Sequence, residues 1–413
     1  MDDYESKIEE LNLQVNKRLL ESSIKDVNYA ASVLGDYFPE AYVAVAEERD
    51  GCSIVPVNLL SSLSMREFKN EKKCETKYQK IIENVSHFLF LVYNIFKKEA
   101  MFMNNNVEIM NTLHYKHNLE EQLNNIICGS IEVREKDEKR YIYVHYRELG
   151  RNVSKYVGEY SDDLYNLILN NNLKSKELKK EIKTLEKKLK ELNYQESELS
   201  EEVKLNIDFA KRNLVDSIYN QAMLEGVVTT YADTESIIEG GQVNGMTSTD
   251  IMKVINLKHA WEFVLDENVI MAEENFSFLS QINKLILEGF YYNAGKVRST
   301  PAKIGGTNWV PGIPIESQVV EELNGLLNSK LDDVSLAIEL LLYVMKRQIF
   351  IDGNKRTAVI LANHHLISRG LGIISIPGDL VEDYKKLLIM YYEGKDTDKI
   401  KKFLRDKCYV SLK

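Results

Sequence analysis

Nine consecutive residues constrain this chain more than any others: Gln348-Ile-Phe-Ile-Asp-Gly-Asn-Lys-Arg356. Before them, Val334 to Lys346 places apolar residues at helical spacing. After them, Thr357 to Ser368 resumes a strongly apolar helical pattern that stops at Arg369-Gly370. The nine residues therefore read as a tight loop between two helices. Gly353 and Asn354 tolerate positive φ, so the loop can present several backbone N–H groups at the start of the second helix, where the macrodipole adds positive charge. Such a terminus is an anion cradle. Lys355 and Arg356 put two cations in its first turn, where they oppose the dipole; a bound anion explains them better than helix stability does. Asp352 offers hard oxygen ligands beside the cradle, as a Mg²⁺ ion bridging two phosphates requires.

The stretch resembles the signature of the Fic/Doc (Fido) family, His-x-Phe-x-Asp/Glu-Gly-Asn-Gly/Lys-Arg, and matches it at Phe350, Asp352, Gly353, Asn354, Lys355 and Arg356. Two positions depart. The family's His, which takes the proton from a target hydroxyl, is Gln348 here, and the second Arg that many members carry is Val359. A Gln side chain can hold a hydroxyl by hydrogen bonding but cannot accept its proton near neutral pH. Losing a general base costs roughly 10²–10⁴ in rate.

The resemblance implies a mainly α protein whose C-terminal part is an all-helical Fic fold with a β-hairpin flap. It also implies an ATP·Mg²⁺ site: Gly353, Asn354 and Lys355 on the phosphates, Asp352 on the metal, and Arg356 forked onto phosphate oxygens. An active member transfers AMP to a Ser, Thr or Tyr hydroxyl of a target protein. Lys355, where most AMP-transferring members have Gly, allows a Doc-like kinase as an alternative. Gln348 and Val359 allow a third reading, a Fic-fold regulator or partner-binding protein without turnover. Asn363, two turns beyond Arg356 on the same face, is expected near the nucleotide base or ribose, or else in a helix-packing hydrogen bond. Tyr384 is expected to stack on adenine or to sit in the core. Glu225-Gly226, ending a helical pattern from Leu205, resembles the close of the family's inhibitory helix, with Gln221 in its Ser/Thr position; the alternative is an ordinary helix terminus. Val297 to Ser299 and Trp309 to Val310 can pair as a hairpin around Gly305-Gly306. This resembles the family's flap, whose residues here are Val297, Ile304, Gly305, Gly306 and Trp309, and whose role is to hold a target segment by strand addition. Further helices are expected over Asp250 to Leu265, Phe276 to Gly289 and Leu380 to Tyr391. His364 and His365 lack a carboxylate at ligand spacing and read as packing or surface residues.

The rest of the chain is less specific. Its 413 residues suggest two to three domains. A formal charge of −10 weighs against general nucleic-acid coating. Four scattered cysteines, an acidic N-terminus and no apolar run long enough to span a bilayer fit a cytoplasmic setting without membrane contact.

Residues 1–128 read as a helical N-terminal region with amphipathic stretches at Tyr4 to Ser22 and Lys77 to Lys98. A short hairpin is expected within Ala41 to Val57, and the region's default role is partner binding. Residues 129–200 read as a small antiparallel β-sheet followed by a basic coiled-coil helix. Tyr141, Tyr143, Arg147, Arg151, Lys155 and Tyr156 give the sheet an aromatic and basic face that can meet nucleic acid or simply face solvent. This segment is similar to an accessory module of bacterial Fic-type proteins. Leu178, Ile182, Leu185, Leu189 and Leu192 form a seam that can pair with a helix of the same chain or with a second subunit. Asn193 to Glu202 is the expected linker, and 205–413 the Fic domain with its inhibitory-like helix.

Overall fold

The computed structural model describes residues 105–148, 151–194 and 198–412, with the backbone of 44–48 and 51–55. The chain divides into two compact units, Met1–Lys97 and Lys98–Lys413. In the first, β1 (Ala44–Glu48) and β2 (Gly51–Val55) pair antiparallel with Glu48 opposite Gly51, so Gly51 opens a strand. The helices expected at Tyr4 to Ser22 and Lys77 to Lys98 lie outside the described residues.

The second unit starts with helix α1 (105–124), then strands β3 (Ser130–Lys136), β4 (Lys139–Glu148) and β5 (Arg151–Glu159), then helix α2 (Asp162–Glu191). The three strands form an antiparallel sheet in the order β3-β4-β5. Asp137 and Glu138, at φ 52° and 62°, make the two-residue turn between β3 and β4, the twist that tight hairpins favour. Alternation decides the sheet's faces: Ile142 and Val144 point inward onto Ile168 of α2, while Tyr141, Tyr143, His145 and Arg147 point the other way. Ser161 caps α2 by accepting from Leu164 N at 3.1 Å, with Asp162 and Asp163 in the first turn and Lys188 and Lys190 in the last.

The leucine seam of α2 finds its partner within the chain. Leu178, Ile182 and Leu185 pack on Leu119, Leu123 and Ile126. Contacts Glu108–Lys188 (2.8 Å) and Tyr115–Glu181 (3.3 Å) run in opposite senses along the two helices. The seam is therefore one side of an antiparallel α1–α2 pair, the same-chain alternative of the two that its spacing left open. Met110 and Leu113 of α1, and Leu189 of α2, join the main core. His117 Nδ1 and Asp266 Oδ2, 2.7 Å apart, add a partly buried ion pair.

That core is built by α3 (Glu201–Arg212), α4 (Leu214–Leu224), α5 (Tyr231–Ile238), α6 (Ser248–Val264), α7 (Phe276–Ile286), α8 (Glu316–Leu327), α9 (Asp333–Arg347) and α10 (Asn354–Ile367). It closes with β6 (Ile373–Ile374), α11 (Val381–Tyr392), α12 (Thr397–Phe403) and β7 (Tyr409–Val410), where β6 and β7 pair antiparallel. The single helix expected from Leu205 to Leu224 breaks at Asn213, whose amide donates to Phe209 O at 2.8 Å. Helix α10 is buried around its whole circumference from Arg356 to Ile367, as a central helix is. It packs against α9, α7, α6 and α3, so everything at its N-terminus is placed by the core.

Candidate active site

The chain leaves α9 through Gln348, which adopts the left-handed conformation at φ 49° and ψ 59°, uncommon for a residue with a Cβ. Its side chain is not free. Nε2 donates to Met345 O at 2.6 Å, and Oε1 accepts from Asn354 Nδ2 at 3.3 Å. Asn354 in turn closes the loop on itself, accepting from Phe350 N at 2.9 Å and donating to Phe350 O at 2.8 Å. Gly353, at φ 73°, caps α10. A Cβ there would stand 3.1 Å from Ile286 and 3.2 Å from Asn283, so both backbone conformation and space require glycine.

Two further side chains fix this loop, and only a buried environment reveals them. Asn283 of α7 donates to Asp352 O at 3.0 Å and to Thr357 Oγ1 at 3.1 Å, and accepts from Gly295 N at 2.9 Å. Arg298 is buried; it donates to Gln348 O, Thr300 O and Gly312 O, each at 2.6 Å. One guanidinium thus ties both ends of the 297–312 segment to the loop after α9. The hairpin expected between Val297 to Ser299 and Trp309 to Val310 does not form. Val297 instead pairs antiparallel with Phe350, with Arg298 N donating to Ile349 O at 2.9 Å, because Arg298 draws that edge inward. The flap tip lies on α11: Trp309 stacks on Tyr392 at 5.5 Å and Thr307 Oγ1 donates to Glu393 at 2.8 Å. Gly305 and Gly306 are exposed, and Ile304 packs against the core.

Beside the loop opens a cavity of about 270 Å³ lined by Glu225, Thr300, Lys303, Gln348, Asp352 and Lys355, among others. Its charges face one another. Lys355 Nζ stands 3.5 Å from Glu225 Oε1, Arg356 Nε 3.9 Å from Glu225 Oε2, and Arg356 Nη2 3.4 Å from Asp352 Oδ2. Arg356 is only 3% exposed, yet its Nε and Nη1 have no hydrogen-bond partner, and neither has Glu225 Oε1. Buried donors of a guanidinium are seldom left so. Arg356 Nε and the Glu225 carboxylate are at ion-pair distance but not at bonding distance. Asp352 keeps one oxygen on Gly353 N at 2.6 Å and is 44% exposed. A single accessible carboxylate at a helix N-terminus could serve a Mg²⁺ ion only together with ligands from a bound molecule and water. Among the described residues no group of three or more His, Cys, Asp or Glu could hold a metal unaided.

Glu225 is placed firmly. It is the C-cap of α4, followed by Gly226 at φ 76°. One turn earlier, Gln221 donates to Arg356 O at 2.7 Å and accepts from Trp261 Nε1 at 3.0 Å, all buried. Helix α4 is thus bolted to the same residue whose side chain Glu225 approaches.

Two expected nucleotide contacts are elsewhere. Asn363 is buried and fully used: its amide donates to Val359 O and Ile374 O, both at 2.8 Å, and accepts from Ile374 N at 2.9 Å. It fastens β6 to α10. Tyr384 is wholly buried, with its hydroxyl on Met345 Sδ at 3.0 Å, and burial raises its pKa. It is a core residue with no ring face open to a base. His364 and His365 share Glu274, at 3.0 and 2.7 Å. Burial would raise the pKa of that carboxyl, but hydrogen bonds from the two imidazoles outweigh it and hold it low.

Residues 275–366 match the Fic/DOC family model. This is a Fic/DOC-family domain. The matched segment runs from the cap of α7 through the flap and the loop to the end of α10, while Glu225 and Gln221 lie outside it. Residues 111–166, most of α1 with the sheet and the start of α2, match a domain of unknown function, DUF6788. Similar solved structures include Fic-1 (residues 134–508) from C. elegans, at 17% identity over 56% of this chain and 71% of that one, with a TM-score of 0.42. A Fic domain-containing signaling protein from Bacteroides thetaiotaomicron gives 22% identity over 46% and 75%, with a TM-score of 0.40. No curated protein matches the chain.

Proposed function

We propose that the Fic domain binds a nucleoside triphosphate with Mg²⁺, and that in this chain the site is guarded by Glu225 and poorly equipped for turnover. The observation that carries the reading is the buried Arg356 beside the cavity, whose Nε and Nη1 have no hydrogen-bond partner, with the Glu225 carboxylate 3.9 Å from Nε and one of its own oxygens equally unsatisfied. Backbone N–H groups from Gly353 to Lys355 and the Arg356 guanidinium would hold phosphate oxygens, and Asp352 would hold the metal. A bound ATP would supply the phosphorus centre to be attacked, and Mg²⁺ would neutralise its charge.

The acceptor in this reading is a Ser, Thr or Tyr hydroxyl on a target protein lying along the exposed part of the flap. Its proton needs a base. Gln348 is none, and both ends of its amide are spent on Met345 O and Asn354. AMP transfer is therefore expected to be slow, sustained by positioning and charge alone. That observation favours a second reading from a different class, a nucleotide-responsive regulator without turnover.

The test uses Mg²⁺ with ATP labelled at the α or the γ phosphate, on wild type and Glu225→Gly, with a lysate as the source of targets. Label passing from the α position to protein supports AMP transfer, and label from the γ position supports kinase action. Binding without transfer supports the regulator. The proposal fails if calorimetry finds no binding of any nucleoside triphosphate, even to Glu225→Gly.

A further inference from the structure

The geometry points to a second binding surface, remote in sequence from the cavity: the outer face of the β3–β4–β5 sheet as a platform for single-stranded nucleic acid. The inner face of this sheet is closed by α2. The outer face has nothing packed on it among the described residues, yet it is not the polar face that such a sheet usually turns to water. It carries a cluster of three tyrosines. The Tyr143 and Tyr156 rings, on directly paired residues, lie 5.5 Å apart, and Tyr141 lies 6.2 Å from Tyr156. Arg134 from the neighbouring strand spreads its guanidinium over Tyr143 at 4.4 Å. Tyr156 is 53% exposed, a large ring left in solvent.

Charge selects the occupant. On the same face stand Arg134, Lys136, Lys139 and Arg147, against Glu132 and Glu159. Both acids are already answered in place. Glu132 accepts from Arg134 at 2.9 Å and pairs with His145 at 2.6 Å, and Glu159 meets Lys139 at 3.4 Å. Among the described residues Lys136 and Arg147 have no ion-pair partner and stand at either end of the aromatic strip, on a chain whose formal charge is −10. Aromatic rings flanked by cations suit a strand whose bases are unstacked and whose phosphates run past the rim. A duplex hides its π-faces and can use only the cations.

The test is fluorescence anisotropy with the full chain and a labelled oligothymidylate of about 15 nucleotides, within the site sizes such platforms cover. The expected result is tighter binding of the single strand than of a duplex of equal length. Tyr156→Ala should weaken it about tenfold, the order of one stacked base, while Tyr156→Phe keeps it. Tyr156 is exposed enough that its replacement leaves the fold intact, which circular dichroism checks. Equal affinity for the duplex, an unchanged Tyr156→Ala, or equal binding of a labelled oligoglutamate would each overturn the proposal, the last by making the face a docking surface for acidic protein.

Discussion

On the proposed reading, replacing Glu225 by Gln removes the guarding charge while keeping its volume, and the distances in the site set the size of the effect. The carboxylate stands 3.5 Å from Lys355 Nζ and 3.9 Å from Arg356 Nε. A phosphate oxygen bonded to those same nitrogens at about 2.8 Å would lie roughly 5 Å from the carboxylate. At an effective dielectric of about 20, two unit charges at that separation repel by about 3 kcal/mol. Rotation of the Glu225 side chain and the charge of Mg²⁺ relieve part of this, leaving about 2–3 kcal/mol, or roughly 30–150-fold in affinity. Calorimetry with ATP in excess Mg²⁺ reads the change directly. Thermal unfolding supplies an independent sign: without ligand the variant should be less stable, because buried Arg356 keeps only Asp352, and with ATP it should gain more than wild type. If the two proteins bind ATP with affinities within about threefold of each other, Coulomb repulsion from Glu225 is not what guards the cradle.

Gln348→His in the Glu225→Gln background should raise label transfer by about 10²–10⁴ if a missing base is the limiting defect; a variant that binds ATP and stays inert would place the defect elsewhere. Arg298→Ala should leave the carbonyls of residues 300, 312 and 348 unanswered and cost about 2–4 kcal/mol. Hydrogen exchange should locate the loss in 297–312, and uniform protection across that segment would refute its role as a clamp. The His117–Asp266 pair should make attachment of α1 pH-dependent. Burial lowers the pKa of His117, but the hydrogen bond and charge of Asp266 outweigh it and the net shift is upward. Its contribution is therefore complete below the unfolded value near 6.5 and is lost as pH rises through the higher folded one. The stability difference between wild type and His117→Gln should accordingly shrink from pH 6 to pH 9, and a constant difference would remove the pair from the account. His114, which burial and the charge of His117 both lower, is present in both proteins, so most of its opposing shift drops out of that difference.

The loop from Gln348 to Arg356 and the two helices around it were legible because their determinants are local: a glycine that must take positive φ, an apolar period and a stop at Gly370. Helix α2 was legible as a leucine repeat. Its partner was not, since Leu119 and Leu123 are ordinary residues of another helix and only packing shows that they fill the seam. Asn363 and Tyr384 mark the limit of helical-face reasoning. Periodicity gave Asn363 its face without its depth, and its amide turned out to be spent on Ile374, a strand residue with no helical relation to it. The flap misled for a related reason: the strand that pairs with Val297 comes from Phe350, far along the chain, and Arg298 enforces that pairing through carbonyls that no sequence pattern displays.

Gln221 and Asn283 escaped notice as structural residues because a lone amide within a helix looks like any surface amide, and burial alone gives them meaning. Their positions bear on how the site can open. Glu225 rides on α4, and α4 is held by a buried chain running from Trp261 Nε1 through Gln221 to Arg356 O. Shifting the whole helix would leave at least a buried donor and a buried acceptor unpaired, at about 1–3 kcal/mol each, before any apolar packing is lost. Swinging the Glu225 side chain alone breaks only contacts longer than 3.4 Å, and it carries the charge away from the cradle. The cheaper motion is therefore a rotamer change at a fixed helix end. On the proposed reading, whatever relieves the guard must offer Lys355 and Arg356 a better anion rather than pull α4 aside.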